Sequence, residues 1–396
     1  MSLFLLSLLA CDPKVSVDDT AAVDDTDADT DTDTDTDADA DTDTDTDVEP
    51  AVDWHILLST TDYTTGALSQ IAADGTLTDG FLPISSDTAV RADNGHVYLL
   101  QRSSENTLSM YQPGSYDAPE VEFSTGDGSN PTGAAMCDGK ILVSRQLTGD
   151  IAAYDPTTGF AVGTIDLSDW ADDDGSAEPD AIFVSPNGSA YVTLLQLDYI
   201  NTYASVDGTG TLLKIDCTDL SVTDEWEVGP NPNLTRDAVD LNGFYLSGGD
   251  YYLPDYSGPE LDGGVWHFDT ATDTLSDSLT TKEGLGKNIG GIYTRADGFG
   301  LTTLDDGYRW TIGCINLTDW TITSVEIGNV FVPSITGDPE GGVWVAQAAG
   351  FDYTDTDTSD DQIGITRWDP ATCASSTVVR TALLPSSLET VIVPSE

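Results

Sequence analysis

Four residues with oxygen-bearing side chains precede short apolar segments that recur along the chain: Asp180, Asp237, Asn288 and Glu389. Carboxylate and amide oxygens are the ligands that hard divalent cations prefer. If the apolar segments lie side by side, these side chains converge and form a site for Ca²⁺ or another divalent cation. Arg236, next to Asp237, adds a positive group to the predicted ligand-binding surface. The alternative is that these residues cap their strands and bind only water.

Aromatic side chains follow aspartates in the long acidic segments of the chain. Tyr199, Tyr251 and Tyr353 each come directly after an aspartate. Aromatic faces beside carboxylates suit glycans or cationic groups, so we predict that these tyrosines surround the ligand. Alternatively, each tyrosine packs between structural units while the aspartate caps its own loop.

The motifs of the common enzyme classes are missing from the sequence. Its three histidines, His55, His96 and His267, stand apart, and none belongs to an H-x-x-x-H pair. Neither a G-x-S-x-G nucleophile turn nor a glycine-rich phosphate loop occurs. This pattern disfavours a serine hydrolase, a nucleoside triphosphatase or a dinucleotide enzyme, and we assign no catalytic residue.

The elements that must position these residues follow the pattern of residues 178–194, EPDAIFVSPNGSAYVTL. This segment predicts two strands joined by a tight turn, with positive φ at both Asn187 and Gly188. Turns of this kind recur at intervals of 43 to 55 residues, at Asn94-Gly95, Asp138-Gly139, Asn242-Gly243, Asp297-Gly298 and Glu340-Gly341. Several units add a third strand ending in aspartate and then a fourth strand. Four-stranded units at this period predict an all-β, seven-bladed β-propeller.

Residues 51–396 provide enough chain for seven such blades in one domain. We predict that the blades begin near Trp54, Asp87, Asn130, Pro179, Arg236, Asn288 and Pro333. The first blade starts on a segment typical of a second strand, whereas the chain ends in LETVIVPS, which is typical of an innermost strand. The C-terminal segment 389–394 is therefore predicted to close the ring by pairing into the first blade.

One segment resembles a known family of propellers. Tyr191-Val192-Thr193-Leu194 resembles the YVTN repeat of seven-bladed, lactonase-like propellers, with Leu194 where that family has asparagine. The resemblance implies the propeller fold for most of residues 51–396. Members of this family that are enzymes hold a divalent metal at the mouth of the channel through carboxylate and amide oxygens. The resemblance therefore makes a metal-dependent hydrolase of lactonase type an alternative function.

The N-terminal segment resembles the signal of bacterial lipoproteins. Residues 1–10 are apolar but too short to span a bilayer. The sequence Leu8-Leu9-Ala10-Cys11 resembles a lipobox, in which the signal peptide is removed and the cysteine is lipidated. Residues 12–50 are rich in aspartate and threonine and have almost no large apolar side chains. We therefore predict that residues 11–50 are a lipidated cysteine followed by a disordered, solvated linker.

The charge of the chain is strongly negative. Residues 1–50 hold 17 acidic side chains and one lysine, which leaves 53 acidic and 12 basic side chains, a net charge of −41, for the predicted propeller. Such a body repels nucleic acids and anionic lipid surfaces, so we expect no nucleic-acid partner. It suits cationic partners or solubility in a salty environment.

The remaining cysteines agree with export. They are Cys137, Cys217, Cys314 and Cys373, and none forms a C-x-x-C pair that would indicate zinc or thioredoxin-like chemistry. An even number allows two disulfides, and the spacing leaves all three pairings open. Small buried thiols are the alternative.

These features predict an exported propeller, anchored to a membrane by lipid, that acts as a binding or scaffold module in the envelope or at the cell surface. The expected partners are the membrane itself and a glycan, a peptide or an envelope protein. The alternatives are the hydrolase described above and a structural component of a surface layer.

Overall fold

A computed structural model describes residues 52–93, 95–172, 174–198, 205–206, 209–248, 263–281, 285–305, 310–327, 330–349 and 363–394. The predicted signal peptide, the predicted lipidation site Cys11 and the predicted acidic linker lie outside these residues. The described residues form strands β1 to β32 and two short 3-10 helices, Gln146–Thr148 and Ser168–Trp170. Among them, no helix is long and apolar enough to cross a membrane.

Thirty of the strands form seven antiparallel sheets, which are the seven blades of a β-propeller, and β14 and β15 form a separate two-stranded sheet. Blade 1 contains β1 (Asp53–Thr61), β2 (Gly66–Ala72), β3 (Leu77–Ile84) and the last strand of the chain, β32 (Leu384–Val393). Blade 2 contains β4 (Thr88–Asp93), β5 (His96–Gln101), β6 (Thr107–Tyr111) and β7 (Val121–Ser124). Blade 3 contains β8 (Pro131–Cys137), β9 (Lys140–Arg145), β10 (Asp150–Tyr154) and β11 (Ala161–Asp166).

Blade 6 keeps the four-stranded plan, whereas blades 4, 5 and 7 carry small additions to it. Blade 4 contains β12 (Pro179–Val184), β13 (Ser189–Leu194), the short pair β14 (Leu197–Asp198) and β15 (Ser205–Val206), then β16 (Thr211–Asp216) and β17 (Ser221–Glu227). Blade 5 contains β18 (Pro232–Arg236), β19 (Gly243–Gly248), β20 (Gly264–Asp269), β21 (Thr274–Leu275) and β22 (Thr280–Thr281). Blade 6 contains β23 (Asn288–Thr294), β24 (Phe299–Asp305), β25 (Trp310–Asn316) and β26 (Thr321–Glu326). Blade 7 contains β27 (Val330–Phe331), β28 (Ile335–Gly337), β29 (Val343–Ala349), β30 (Gly364–Asp369) and β31 (Ala374–Val379).

The hydrophobic core lies between the blades. Each pair of adjacent blades shares one cluster of buried side chains, including the pair formed by blade 7 and blade 1. A strand can serve two such interfaces because successive side chains point to opposite faces of its sheet. In β1, Ile56 and Leu58 pack with Trp344 of blade 7, whereas Leu57 packs with Val90 of blade 2. This explains why β1 is buried continuously from Trp54 to Thr61.

The predicted closure of the ring is confirmed. Strand β32 pairs with β1 from Asp53↔Val393 to Thr61↔Leu384 and forms the innermost strand of blade 1. Side chains of β32 also bind both neighbouring blades. Thr390 Oγ1 lies 3.0 Å from Thr336 Oγ1 of blade 7, and Ser387 Oγ accepts a hydrogen bond of 3.2 Å from the Val90 amide of blade 2.

Two disulfides join neighbouring blades. Cys137 of blade 3 is bonded to Cys217 of blade 4, and Cys314 of blade 6 is bonded to Cys373 of blade 7. The Cα–Cα distance is 5.7 Å in both pairs. The structure therefore selects one of the three pairings that the sequence leaves open.

The two-residue turn with positive φ at both positions is found at Asp138-Gly139 but not at Asn187-Gly188, Asn242-Gly243, Asp297-Gly298 or Glu340-Gly341. Asp138 and Gly139 both have positive φ, as a two-residue hairpin requires. At Asn187-Gly188, in contrast, only Gly188 has positive φ, and the connection spans residues 185–188. The Asn187 side chain explains the wider loop, because its Oδ1 accepts a hydrogen bond from the Ser189 amide and its Nδ2 donates to the Thr270 carbonyl.

The predicted start of the fifth blade at Arg236 is wrong. The innermost strand, β18, begins at Pro232 and ends at Arg236. The segment after it forms a turn, because the Asp237 carboxylate accepts a hydrogen bond from the Val239 amide and the Asp240 carboxylate accepts one from the Asn242 amide. Such side-chain bonds to nearby amides compete with strand pairing.

Candidate functional site in the central channel

The innermost strands of all seven blades line a cavity of about 330 Å³ in the central channel. Its charged lining residues are Arg91, Asp93, Asp180, Arg236 and Glu389. Each innermost strand is the first strand of its blade along the chain or, in blade 1, the closing strand β32. The channel is therefore built from seven different segments that are far apart in the sequence.

Three of the predicted ligand-binding residues meet in this cavity. Asp180 is the second residue of β12 and is half-buried. Glu389 lies in β32, opposite Leu57 in the register, and is buried. Arg236 is the last residue of β18. Of the predicted residues, the cavity thus brings together the Asp180 carboxylate of blade 4, the Glu389 carboxylate of blade 1 and the Arg236 guanidinium of blade 5.

Asp237 lies elsewhere. We expected it just before an innermost strand, but it follows Arg236 at the end of β18 and does not line the cavity. Its buried carboxylate accepts hydrogen bonds from the Val239 amide and the Thr294 hydroxyl, and its Oδ2 lies 3.3 Å from His267 Nε2. Burial alone would raise the pKa of Asp237, but the hydrogen bond from His267, with the other two, holds it below its ordinary value. Asp237 therefore stabilises the turn after β18.

Asn288 is also separated from the channel carboxylates. It is the first residue of β23, it is buried, and it is not among the residues that line the cavity. Among the described residues, Asp180, Asp237 and Glu389 do not form a cluster with metal-binding distances. The predicted four-residue metal site is thus split between the channel wall, a turn and the buried start of β23.

The predicted aromatic residues lie outside the described part of the chain. Tyr199, Tyr251 and Tyr353 all belong to the segments that follow a second strand, between the ranges given above. Their position around the channel stays a prediction.

An ion pair that was not predicted from the sequence spans the channel. Arg236 of blade 5 binds the Asp93 carboxylate of blade 2, past the two intervening blades. Each intervening blade adds a contact: the Met136 amide of blade 3 bonds to Asp93, and the Arg236 guanidinium lies 4.6 Å from the centroid of the Phe183 ring of blade 4. Four consecutive blades are therefore joined at one level of the channel.

The environment of Asp93 is unfavourable for a charge. Only 6% of its side chain is exposed. Burial raises the pKa of the Asp93 carboxyl above its ordinary value, although the Arg236 guanidinium acts in the opposite direction. One feature of the sequence indicates a special role for Asp93: it ends an innermost strand just before the Asn94-Gly95 pair, and Asp338 directly follows the innermost strand β28 of blade 7.

Comparisons with known proteins identify the fold. No family model matches the sequence, and no curated protein matches it. Among solved structures, the chain is similar to a protein from Lactobacillus plantarum with 12% identity and a TM-score of 0.57, over 86% of this chain and 99% of that one. A functionally unknown protein from Desulfotomaculum acetoxidans gives 13% identity and a TM-score of 0.53, over 85% and 99% of the two chains.

An enzyme is among the similar structures as well. Hydrazine synthase of Kuenenia stuttgartiensis matches with 12% identity and a TM-score of 0.51, over 76% of this chain and 87% of that one. At these identities the likeness shows the fold alone, and a propeller fold is compatible with many activities. Function must therefore be argued from the channel of this chain.

Proposed function

We propose that this protein is an exported β-propeller, anchored to a membrane through a lipid on Cys11, whose channel binds a small ligand that carries a positive group. The observation on which the proposal rests is the cavity of about 330 Å³ lined by the Asp180 and Glu389 carboxylates. This volume is at the lower end of the range of small-molecule sites. A carboxylate accepts stronger hydrogen bonds from cationic donors than from neutral ones.

The charges of the cavity support a cationic ligand. Arg236 is paired with Asp93, and Arg91 Nη1 donates a hydrogen bond of 2.9 Å to the Val90 carbonyl. The lining thus holds three carboxylates and two guanidinium groups, and its net charge is negative. The large negative charge of the chain attracts cations toward this opening from a distance.

The two disulfides support export. Bonds of this kind form and persist in oxidising compartments and are rare in the cytosol. Cys137–Cys217 and Cys314–Cys373 both join neighbouring blades, so each constrains the ring. Together with the lipobox-like sequence before Cys11, they favour a lipoprotein of the outer membrane or cell surface over a cytosolic protein.

The alternatives have less support. A hydrolase of lactonase type needs oxygen ligands gathered around a metal, but Asp237 and Asn288 lie away from the channel wall. Among the described residues that line the cavity, there is neither a histidine nor a cysteine. A structural role in a surface layer would use the outer faces of the blades and would assign no role to the Asp180 and Glu389 carboxylates of the channel.

Binding of organic cations tests the role of the channel. We expect ethanolamine or methylguanidine, titrated calorimetrically into the full chain, to bind with measurable heat. The double variant Asp180→Asn/Glu389→Gln should weaken this binding at least about tenfold, because a hydrogen bond to a charged group is worth roughly 1.5–3 kcal/mol. Asp117→Asn, which removes an exposed carboxylate elsewhere, is the matched control. Equal binding by the double variant and the control would refute a cation site in the channel.

Fractionation of cells tests the anchor. We expect the chain expressed in a bacterium with an outer membrane to partition into the membrane fraction. Cys11→Ser should move it to a soluble fraction, because the cysteine thiol is the attachment point of the lipid. Ser7→Ala changes the same apolar segment without removing the thiol and should leave the partition unchanged. Membrane association that persists in Cys11→Ser would show that the anchor is not a lipid on this residue.

A further inference from the structure

A compact group of carboxylates lies on the segment that connects blade 3 to blade 4. Oxygens of Asp172, Asp174 and Glu178 all lie within 4.8 Å of one another. Local hydrogen bonds shape this segment: the Asp174 amide donates to Asp172 Oδ1, and the Ser176 amide donates to Asp174 Oδ1, both at 2.9 Å. Three negative groups at this separation repel one another unless a cation lies between them.

Glu178 provides an independent indication of a ligand. Only 1% of this residue is exposed, which is rare for a glutamate. Its Oε2 accepts a hydrogen bond of 3.0 Å from the Leu197 amide, but its Oε1 is buried and has no hydrogen-bond partner among the described residues. The carboxylate that carries this oxygen is the one that lies close to Asp172 and Asp174. A buried oxygen of this kind is costly unless a group absent from the protein chain satisfies it.

The environment of Glu178 is unfavourable for a charged carboxylate. Burial raises the pKa of Glu178 to about 7, and the carboxylates of Asp172 and Asp174 act in the same direction. The Ser176 side chain and the Leu197 amide oppose the rise without cancelling it. In addition, Glu178 itself has a φ of 42°, in the left-handed region that non-glycine residues seldom adopt. Glu178 thus combines a strained backbone with a poorly solvated carboxylate that lies close to the carboxylates of Asp172 and Asp174.

We propose that Asp172, Asp174 and Glu178 bind a divalent cation, and that the cation is Ca²⁺. The donors are all carboxylate oxygens, which suit Ca²⁺ and Mg²⁺ far better than zinc or copper. A short irregular loop favours Ca²⁺, which accepts flexible geometry and completes its shell with carbonyl oxygens and water. The site differs from the predicted channel-mouth site in every residue.

The position of the site suggests what the cation does. Glu178 immediately precedes Pro179, the first residue of β12, and Asp180 lines the channel cavity two residues later. A cation bound to Asp172 and Asp174 would hold the connecting segment against the start of this innermost strand. The site would therefore fix one edge of the channel, yet its occupancy can be tested without reference to any ligand of the channel.

Terbium luminescence can locate this site despite the acidic linker. Tb³⁺ replaces Ca²⁺ and emits strongly when a nearby tryptophan is excited, and Trp170 lies two residues before Asp172. Residues 12–50 contain no tryptophan. We expect the full chain, freed of metal by a chelator, to give saturable tryptophan-sensitised emission that Ca²⁺ displaces. Trp170→Phe should remove most of this emission while leaving Ca²⁺ affinity, measured calorimetrically, unchanged.

Matched variants decide whether the three carboxylates are the ligands. Glu178→Gln and Asp174→Asn should each weaken Ca²⁺ displacement of Tb³⁺ at least tenfold, whereas Asp169→Asn, an exposed acid of the same segment, should leave it unchanged. Glu178→Gln should fold at least as well as the unaltered chain without metal, because it removes a buried charge. If it does not fold, the exposed Asp174→Asn decides the question. Emission that is equal in Asp174→Asn and Asp169→Asn, or no saturable emission, would overturn the proposal.

Discussion

Removal of residues 388–396 is expected to unfold the entire propeller. This deletion eliminates the six residue pairs from Asp53↔Val393 to Leu58↔Leu388 and exposes the inner edge of β1. It also removes Leu388 and Val391 from the clusters that join blade 1 to blades 7 and 2. Burying such a side chain is worth about 1.5–3 kcal/mol, and a buried backbone group without a partner costs about 1–3 kcal/mol. The combined loss rivals the whole stability of a typical domain, about 5–15 kcal/mol.

Thermal unfolding followed by circular dichroism measures this effect. We expect the truncated chain to show no cooperative transition, whereas a chain lacking only residues 394–396, which follow β32, should melt like the intact protein. A synthetic peptide of residues 384–394 added to the truncated chain should restore part of the transition, because it supplies the missing strand. A truncated chain that melts within a few degrees of the intact one would show that β32 is dispensable for closure.

The fold was predictable from the sequence because its signals are local and repeated. Each blade has its own hairpin turn, and the third strands end in aspartates such as Asp216 and Asp269, whose carboxylates accept hydrogen bonds from amides two residues later. Closure of the ring could be predicted because the first strand is typical of a second strand of a blade, whereas the last strand is typical of an innermost one. The prediction for the start of blade 5 was wrong because residues 237–241, DAVDL, resemble a strand in composition. In the structure, the side chains of Asp237 and Asp240 stabilise a turn in this segment.

The candidate site was only partly predictable, because it depends on contacts between distant segments. Asp180, Arg236 and Glu389 line one cavity, since each belongs to an innermost strand, and their role in binding a ligand stays a prediction. The partner of Arg236 was missed, because nothing local in the sequence shows that blade 5 reaches blade 2 across the channel. The pairing of the cysteines could not be predicted for the same reason. The closed ring of blades makes Cys137 and Cys217 neighbours, and their spacing in the sequence does not show this.

The ion pair across the channel leads to the second large effect. Arg236→Met should destabilise the protein by about 3–5 kcal/mol near neutral pH, because it leaves the Asp93 carboxylate buried without its cation. Methionine keeps the approximate length of the side chain and its contact with Phe183. The double variant Arg236→Met/Asp93→Asn should recover much of this loss, because no buried charge then remains unpaired. Urea unfolding of both variants and of Asp93→Asn alone completes a double-mutant cycle.

The dependence on pH distinguishes an unpaired charge from a simple loss of packing. Burial already raises the pKa of Asp93 in the folded protein, and removal of Arg236 should raise it further. A carboxyl whose folded pKa is raised contributes stability below its unfolded pKa and loses that stability as the pH rises through the folded pKa. The loss of unfolding free energy in Arg236→Met should therefore be small at about pH 4, where Asp93 is protonated. It should reach its full size only above the raised pKa of Asp93. If the loss of stability is the same at low and neutral pH, Arg236 stabilises the channel through its cationic guanidinium over the Phe183 ring, which methionine lacks, and not through the charge of Asp93.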